Sequence, residues 1–214
     1  INTVANSIQN ENTVTSNLVT SDCKIVSFVG TSKNGTSFLV NNLAVLLSDK
    51  GIKTAILDLT KNKNAYYIYT LNEDALREKS FRCIDGLRSG VADGIQVSKN
   101  LTVYTTLPGE NPSIDDYENI LDTLSKNYSL VLLDCDFDTN FNYFAESHEI
   151  YLVQTYDILT IQPLTAFLNE LKYKNILNPN KLRIVINKTL KLRKLTDKMV
   201  IGGISCYNDP ASTC

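Results

Sequence analysis

Val29-Gly30-Thr31-Ser32-Lys33-Asn34-Gly35-Thr36-Ser37 is the stretch on which the fold turns. The short apolar run Lys24–Val29 before it reads as a buried strand, and Ser37–Leu47 after it as an almost wholly apolar helix. Glycines at 30 and 35 keep a Gly-x-x-x-x-Gly spacing. They let the backbone wrap closely and aim its N–H groups at phosphate oxygens, while the helix that follows adds its positive N-terminal end. Ser37 stands where a hydroxyl binds Mg2+ in such loops, but the lysine expected at 36 is Thr36. That lysine reaches the outer phosphates and offsets charge during transfer, so its loss leaves backbone cradling without the main driver of hydrolysis. Lys33 could substitute in part, from a different starting point. The two glycines are also compatible with a plain tight turn between strand and helix.

Outward from this loop, strands and helices alternate. The helix ends near Asp49-Lys50-Gly51, where Gly51 suits a left-handed cap. Lys53–Leu57, Leu101–Thr106, Leu130–Leu133, Ile150–Gln154 and Leu182–Ile186 read as further strands. Asn72–Leu87, Ser113–Leu124 and Ile161–Leu171 read as helices, and another begins near Asn140. This spacing implies right-handed crossovers and a doubly wound α/β domain, a mostly parallel sheet with helices on both faces. Residues 1–22 are rich in Asn, Thr and Ser and read as a linker or disordered lead-in. The domain is expected over 23–214, truncated at its C-terminus.

With 214 residues, 43% of them hydrophobic, the chain can bury a sizeable core. A net charge of −2 gives no global pull toward nucleic acid or membrane, and no 18-residue apolar run is present. Five cysteines (Cys23, Cys83, Cys135, Cys206, Cys214), none in a CxxC pair, fit a reduced cytoplasmic protein. The single His148 makes a histidine-based metal site improbable. Residues 172–198 hold nine Lys or Arg against one acid, Asp197, which is either a solvated face or a surface for DNA without sequence preference. Tyr66, Tyr67 and Tyr69 are expected to pack in the core.

From Lys24 to about Asn208 the chain resembles the MinD/ParA superfamily of deviant P-loop ATPases. The blocks that carry the resemblance are Lys24-Ile-Val-Ser-Phe-Val-Gly, Asn42-Leu-Ala-Val-Leu-Leu, Lys50-Gly-Ile-Lys-Thr-Ala-Ile-Leu-Asp58, Tyr128-Ser-Leu-Val-Leu-Leu-Asp134, Glu149-Ile-Tyr-Leu-Val-Gln and Val185-Ile-Asn187-Lys188. The resemblance implies a bound ATP or ADP held by Gly30, Thr31, Ser32, Lys33, Asn34, Gly35, Thr36 and Ser37. Asn187 and Lys188 would lie at the adenine, and Ser37, Asp58 and Asp134 at a Mg2+ ion. Asp58 can equally be a strand-end turn residue; Asn187 can be one too, but the resemblance favours the adenine role, and Asp136 and Asp138 are expected to cap the following helix. Three departures stand out: Thr31 replaces the signature lysine, Thr36 the second lysine, and Thr60 the aspartate that positions the attacking water. Their joint loss implies little or no turnover. Gly35-Thr36-Ser37 and the late Ile201-Gly-Gly-Ile-Ser segment resemble TadZ/CpaE-like proteins. That likeness implies a bacterial, cytoplasmic scaffold, recruited to a pole, homodimeric, and partnered with a pilus or secretion assembly. An active ParA/MinD-type ATPase and an interaction module without nucleotide are the alternatives.

Overall fold

The computed structural model describes residues 23–71, 73–109, 115–188 and, near the C-terminus, 196, 198, 199 and 202. The expectations for residues 1–22, for the start of the helix at 113–114, for Cys206 and Cys214, and for most of 189–214 lie outside these residues.

The strands are β1 (Lys24–Gly30), β2 (Thr54–Asp58), β3 (Ile95–Ser98), β4 (Leu101–Tyr104), β5 (Leu130–Cys135), β6 (Glu149–Gln154) and β7 (Leu182–Ile186). They form one sheet in the order β3-β4-β2-β5-β1-β6-β7. Every pairing is parallel except β3–β4, which is antiparallel with an irregularity between Gln96 and Ser98. The doubly wound, mostly parallel sheet expected from the sequence is the one observed. β3 carries no strong signal, since only Ile95 of its four residues is buried.

Alternate residues of the strands feed two cores. Ile25, Val29, Val131, Leu133 and Leu57 face one side, where α3 (Asp74–Arg88), α4 (Tyr117–Asn127), α5 (Phe141–Glu146) and α6 (Ile161–Tyr173) cover them with Leu87, Leu124, Phe144 and Phe167. Val26, Phe28, Ile56 and Leu132 face the other, under Val40 and Ala44 of α1 (Thr36–Asp49) and Ala65 of α2 (Asn64–Tyr69). Each fully buried aliphatic side chain contributes about 1.5–3 kcal/mol, so the strands centred on β5 anchor the domain.

Local chemistry sets the ends of the elements. Gly51 (φ 88°) closes α1 as expected, with its N–H on the Ser48 carbonyl. The strand expected at Leu101–Thr106 stops at Tyr104, where its pairing with Leu57 ends, and the Thr105 hydroxyl beyond it donates to Asp58 Oδ2 at 3.1 Å. Two expectations are corrected. Tyr67 is 66% exposed and does not join the core, although Tyr69 packs against it. The cap of α5 is Asn140, whose Oδ1 accepts from the Asn142 N–H at 3.0 Å, and not Asp136 or Asp138.

Candidate functional site

In a parallel sheet the carboxyl ends of all strands open on one side, and ligands bind in the crevice they leave. Here that crevice is a cavity of about 840 Å3. The loop after β1 lines it, with every residue from Gly30 to Ser37 except Asn34. So do Thr60, Lys61 and Asn64 after β2, Asp134 to Asp138 at the end of β5, and Lys188 beyond β7.

Close fit at two glycines fixes the loop. A Cβ on Gly30 would lie 2.5 Å from Thr36 Oγ1 and 2.6 Å from the Val153 carbonyl, so only glycine is accommodated. Gly35 has φ 86°, in the left-handed region, and a Cβ there would lie 2.6 Å from Asn187 Nδ2. Neighbouring strands then hold the loop by side chains. Asn34 is buried; its Nδ2 donates to the Val153 carbonyl at 3.1 Å and its Oδ1 accepts from Thr155 Oγ1 at 3.2 Å. Asn187 Nδ2 donates to the Asn34 carbonyl at 2.7 Å, and Lys188 Nζ donates to the Lys33 carbonyl. Asn187 Oδ1 accepts from the Lys188 N–H at 2.9 Å. The Asn187 amide is therefore spent on the loop and not held out toward a base.

The three threonines at the departed positions behave differently. The hydroxyls of Thr31 and Thr36 are buried without a hydrogen-bond partner. Thr36 points back at Gly30 on the floor of the loop, so nothing at this position reaches out as a lysine would. Thr60 donates both its N–H (3.0 Å) and its hydroxyl (2.6 Å) to Asp58 Oδ1 and offers no base. Asp58 Oδ2 accepts from the Ala65 N–H at 3.0 Å and from Thr105. With four donors, the Asp58 carboxylate is filled. It organises the β2–α2 loop rather than reaching for a metal.

Asp134 is the opposite case. It is wholly buried, and neither carboxylate oxygen has a hydrogen-bond partner. Burial, reinforced by the nearby Asp58 charge and opposed by the Ser37 hydroxyl, pushes its pKa up to about 8. Asp136 ties two loops together instead of capping a helix. Its Oδ2 accepts from the Lys61 N–H at 2.7 Å and its Oδ1 from the Asp138 N–H at 3.0 Å. Asp138 itself is exposed.

The residue that sequence reasoning missed is Lys63. It is 2% exposed and lies beneath the cavity, with Nζ donating to the Asp58 carbonyl at 3.3 Å. Burial lowers its pKa, against the pull of Asp58, Asp136 and Asp134. Nothing in Lys61-Asn62-Lys63-Asn64 singles it out; its left-handed backbone (φ 49°) turns it inward while Lys61 stays exposed. Lys33, the proposed substitute, is exposed at the cavity rim.

These residues test the two expected groups. A phosphate fits the loop: its two glycines let the backbone wrap closely, and the following helix adds its positive N-terminal end. Mg2+ fits poorly. Of Ser37, Asp58 and Asp134, Asp58 is filled, Ser37 Oγ accepts from Asn64 Nδ2 at 3.0 Å, and only Asp134 keeps carboxylate oxygens without a partner. Among the described residues no group of three or more His, Cys, Asp or Glu is arranged to hold a metal.

Several cations of the basic segment are engaged locally. Lys181 Nζ donates to the Ala145 carbonyl at 3.3 Å, Arg183 to the Asn180 and Leu182 carbonyls at 2.9 Å, and Lys174 pairs with Glu170 at 3.8 Å. His148 Nδ1 accepts from the Ile25 N–H at 3.0 Å, a structural role. Among the described residues no helix is long and apolar enough to cross a membrane.

The sequence matches no protein-family model and no curated protein. Solved structures do match. A plasmid partition protein of Borrelia burgdorferi B31 bound to AMPPNP superposes with a TM-score of 0.64 at 19% identity, over 80% of this chain and 78% of that one. A ParA family ATPase of Chlorobium tepidum gives 0.66 at 15% identity, over 85% and 81%. The MinC:MinD cell division complex of Aquifex aeolicus gives 0.67 at 13% identity, over 86% and 78%. By sheet order, by the glycine loop after the first strand and by this structural likeness, the chain has the fold of the ParA and MinD P-loop ATPases.

Proposed function

We propose that the chain is a nucleotide-binding scaffold that holds ATP or ADP at Gly30–Ser37 with little or no hydrolysis. It would act, as a homodimer, by positioning a larger assembly of the pilus or secretion type. One observation carries the reading. The phosphate loop keeps its shape, while Thr31, Thr36 and Thr60 are turned inward and present neither cation nor base to a nucleotide. Cradling without transfer chemistry is a binder's arrangement. Mg2+, if it accompanies the nucleotide, would meet Ser37 first, with Asp134 behind it.

Titration with ATP tests binding, and phosphate release tests turnover. Binding without release supports the scaffold; no binding at millimolar ATP overturns it.

A second reading, an active ParA/MinD-type ATPase in DNA partitioning or division-site placement, draws on Lys33, Lys61 and Lys188 around the cavity. Steady phosphate release that is lost in Lys33→Ala or Lys188→Ala would establish it in place of the scaffold. DNA retardation at physiological salt tests the partitioning arm.

A further inference from the structure

A nucleotide held by its phosphates still needs a place for its base, and the end of β7 does not offer one. Asn187 spends Nδ2 on the Asn34 carbonyl and Oδ1 on the Lys188 N–H, and it lies outside the cavity wall. The cavity runs instead from the loop to α6. There Phe137, Pro163, Ala166 and Phe167 form an apolar wall, with Glu170 one turn further along the helix. At about 840 Å3 the space is within the range of small-molecule sites, so phosphates at the loop and a base at this wall share one cavity.

Phe137 is the accessible ring of that wall. It is half-buried and stacks on Phe167, with centroids 4.9 Å apart and 24° between the planes. Phe167 is buried and packs in turn on Phe141 at 5.6 Å and on Phe144 at 5.1 Å. One face of Phe137 is therefore backed by the core, and the ring still borders the cavity. The loop that carries it is pinned on the residues beside it. Asp136 Oδ1 accepts from the Asp138 N–H at 3.0 Å, and its Oδ2 from the Lys61 N–H at 2.7 Å. A flat ring held in place is a stacking platform for any planar base. Edge readout along this wall is poor. The side chains of Phe137, Pro163 and Ala166 carry no hydrogen-bonding group, and Glu170 offers only acceptor oxygens, one of them 3.8 Å from Lys174 Nζ. A platform that grips the π-face without reading the edge favours the larger purine ring and treats adenine and guanine alike.

We propose that Phe137 is the nucleobase platform of this site: the phosphates lie in the loop, and a purine stacks on the free face of Phe137 beside α6. This rests on the nucleotide-binding reading above and adds to it the class of base and the place where it sits.

Calorimetric titration of the intact chain with ATP, GTP, UTP and inorganic triphosphate tests it. The wild type is expected to bind ATP and GTP within about two-fold of each other, UTP more weakly, and triphosphate roughly ten-fold more weakly than the purines. Phe137→Leu is expected to lose roughly ten-fold for ATP and GTP and to keep triphosphate within about two-fold. Phe137→Tyr is expected to keep wild-type behaviour. A loss confined to ligands that carry a base is a signature a merely structural ring would not give. Should Phe137→Leu fail to fold, photolabelling of the wild type with 8-azido-ATP decides: label on the peptide containing Phe137 supports the platform, and label at Asn187 and Lys188 overturns it. ATP that binds no tighter than triphosphate or UTP overturns the proposal and leaves the nucleotide reading standing. So does a preference between ATP and GTP of more than about ten-fold. The Phe38 ring, 73% exposed, also borders the cavity. A ten-fold loss in Phe38→Ala with none in Phe137→Leu would move the base there and overturn the assignment. Absence of binding by both ATP and triphosphate overturns the two readings together.

Discussion

Asn187 Nδ2 donates to the carbonyl of Asn34 at 2.7 Å, so the end of β7 braces the glycine loop after β1 from behind. Replacing Asn187 by Ala removes the donor from a partly buried carbonyl and should cost about 1 kcal/mol of stability. It should also speed amide hydrogen exchange at Asn34–Thr36. If Asn187 instead read adenine, the variant would lose preference for ATP over GTP. The structure leads us to expect equal losses for both, measured by parallel titrations.

Restoring the missing lysine should not restore an enzyme. Thr36→Lys has to lift its side chain off Gly30 and toward the phosphates, which should tighten ATP binding by roughly ten-fold through charge-assisted contacts. Phosphate release should stay at background, since Thr31 and Thr60 are unchanged. Turnover in the single variant would show that Thr36 alone silences the site.

Thr60→Asp meets a harder obstacle. The Thr60 hydroxyl sits 2.6 Å from Asp58 Oδ1 and donates to it. A carboxylate there puts two like charges in contact and removes a donor. The expected loss is about 1–3 kcal/mol, read as a drop in denaturant midpoint. An undiminished midpoint would mean that the β2–α2 loop can open without cost.

The Asp134 carboxyl makes stability depend on pH. Its native pKa, about 8, lies above the unfolded value near 4. Between those values the unfolded chain has released a proton that the native chain still holds. Stability therefore falls as pH rises through the window, by up to about 1.4 kcal/mol per pH unit from this group. Asp134→Asn removes that slope. It should match the wild type near pH 4 and exceed it by a few kcal/mol, on the order of the integrated slope, at pH 8. Denaturant curves at pH 4, 6 and 8 read the difference directly. Parallel wild-type and variant profiles would refute the assignment.

Gly30→Ala tests the close fit of the loop. The added methyl would meet both Thr36 Oγ1 and the Val153 carbonyl, and only the first can move. A loss of about 1–3 kcal/mol is expected, with little rescue from Thr36→Ala because the backbone contact remains. Full rescue would place the strain on the hydroxyl alone.

Much of this was legible before the structure. Lys24–Val29 and Leu130–Leu133 are largely apolar runs, and parallel strands buried on both faces require such runs. The glycine spacing at 30 and 35 located the loop because its backbone geometry excludes other residues. β3 was missed because an antiparallel edge strand needs one buried residue, Ile95, and leaves no pattern. Tyr67 was misplaced because a short helix with three tyrosines cannot turn them all inward. Lys63 was invisible because its burial follows from a left-handed turn, and lysine gives no hint of that conformation. The role of Asp136 depends on a partner 75 residues away, the Lys61 N–H, which no local spacing encodes.

That last contact has a mechanical meaning. The loop after β2 and the loop after β5 form two walls of the same cavity, and Asp136 fastens one to the other through a 2.7 Å bond to main chain. The walls are one jaw and not two. A ligand that shifts either wall must carry both, since they are joined by that carboxylate and by the Leu59 N–H on the Asp134 carbonyl.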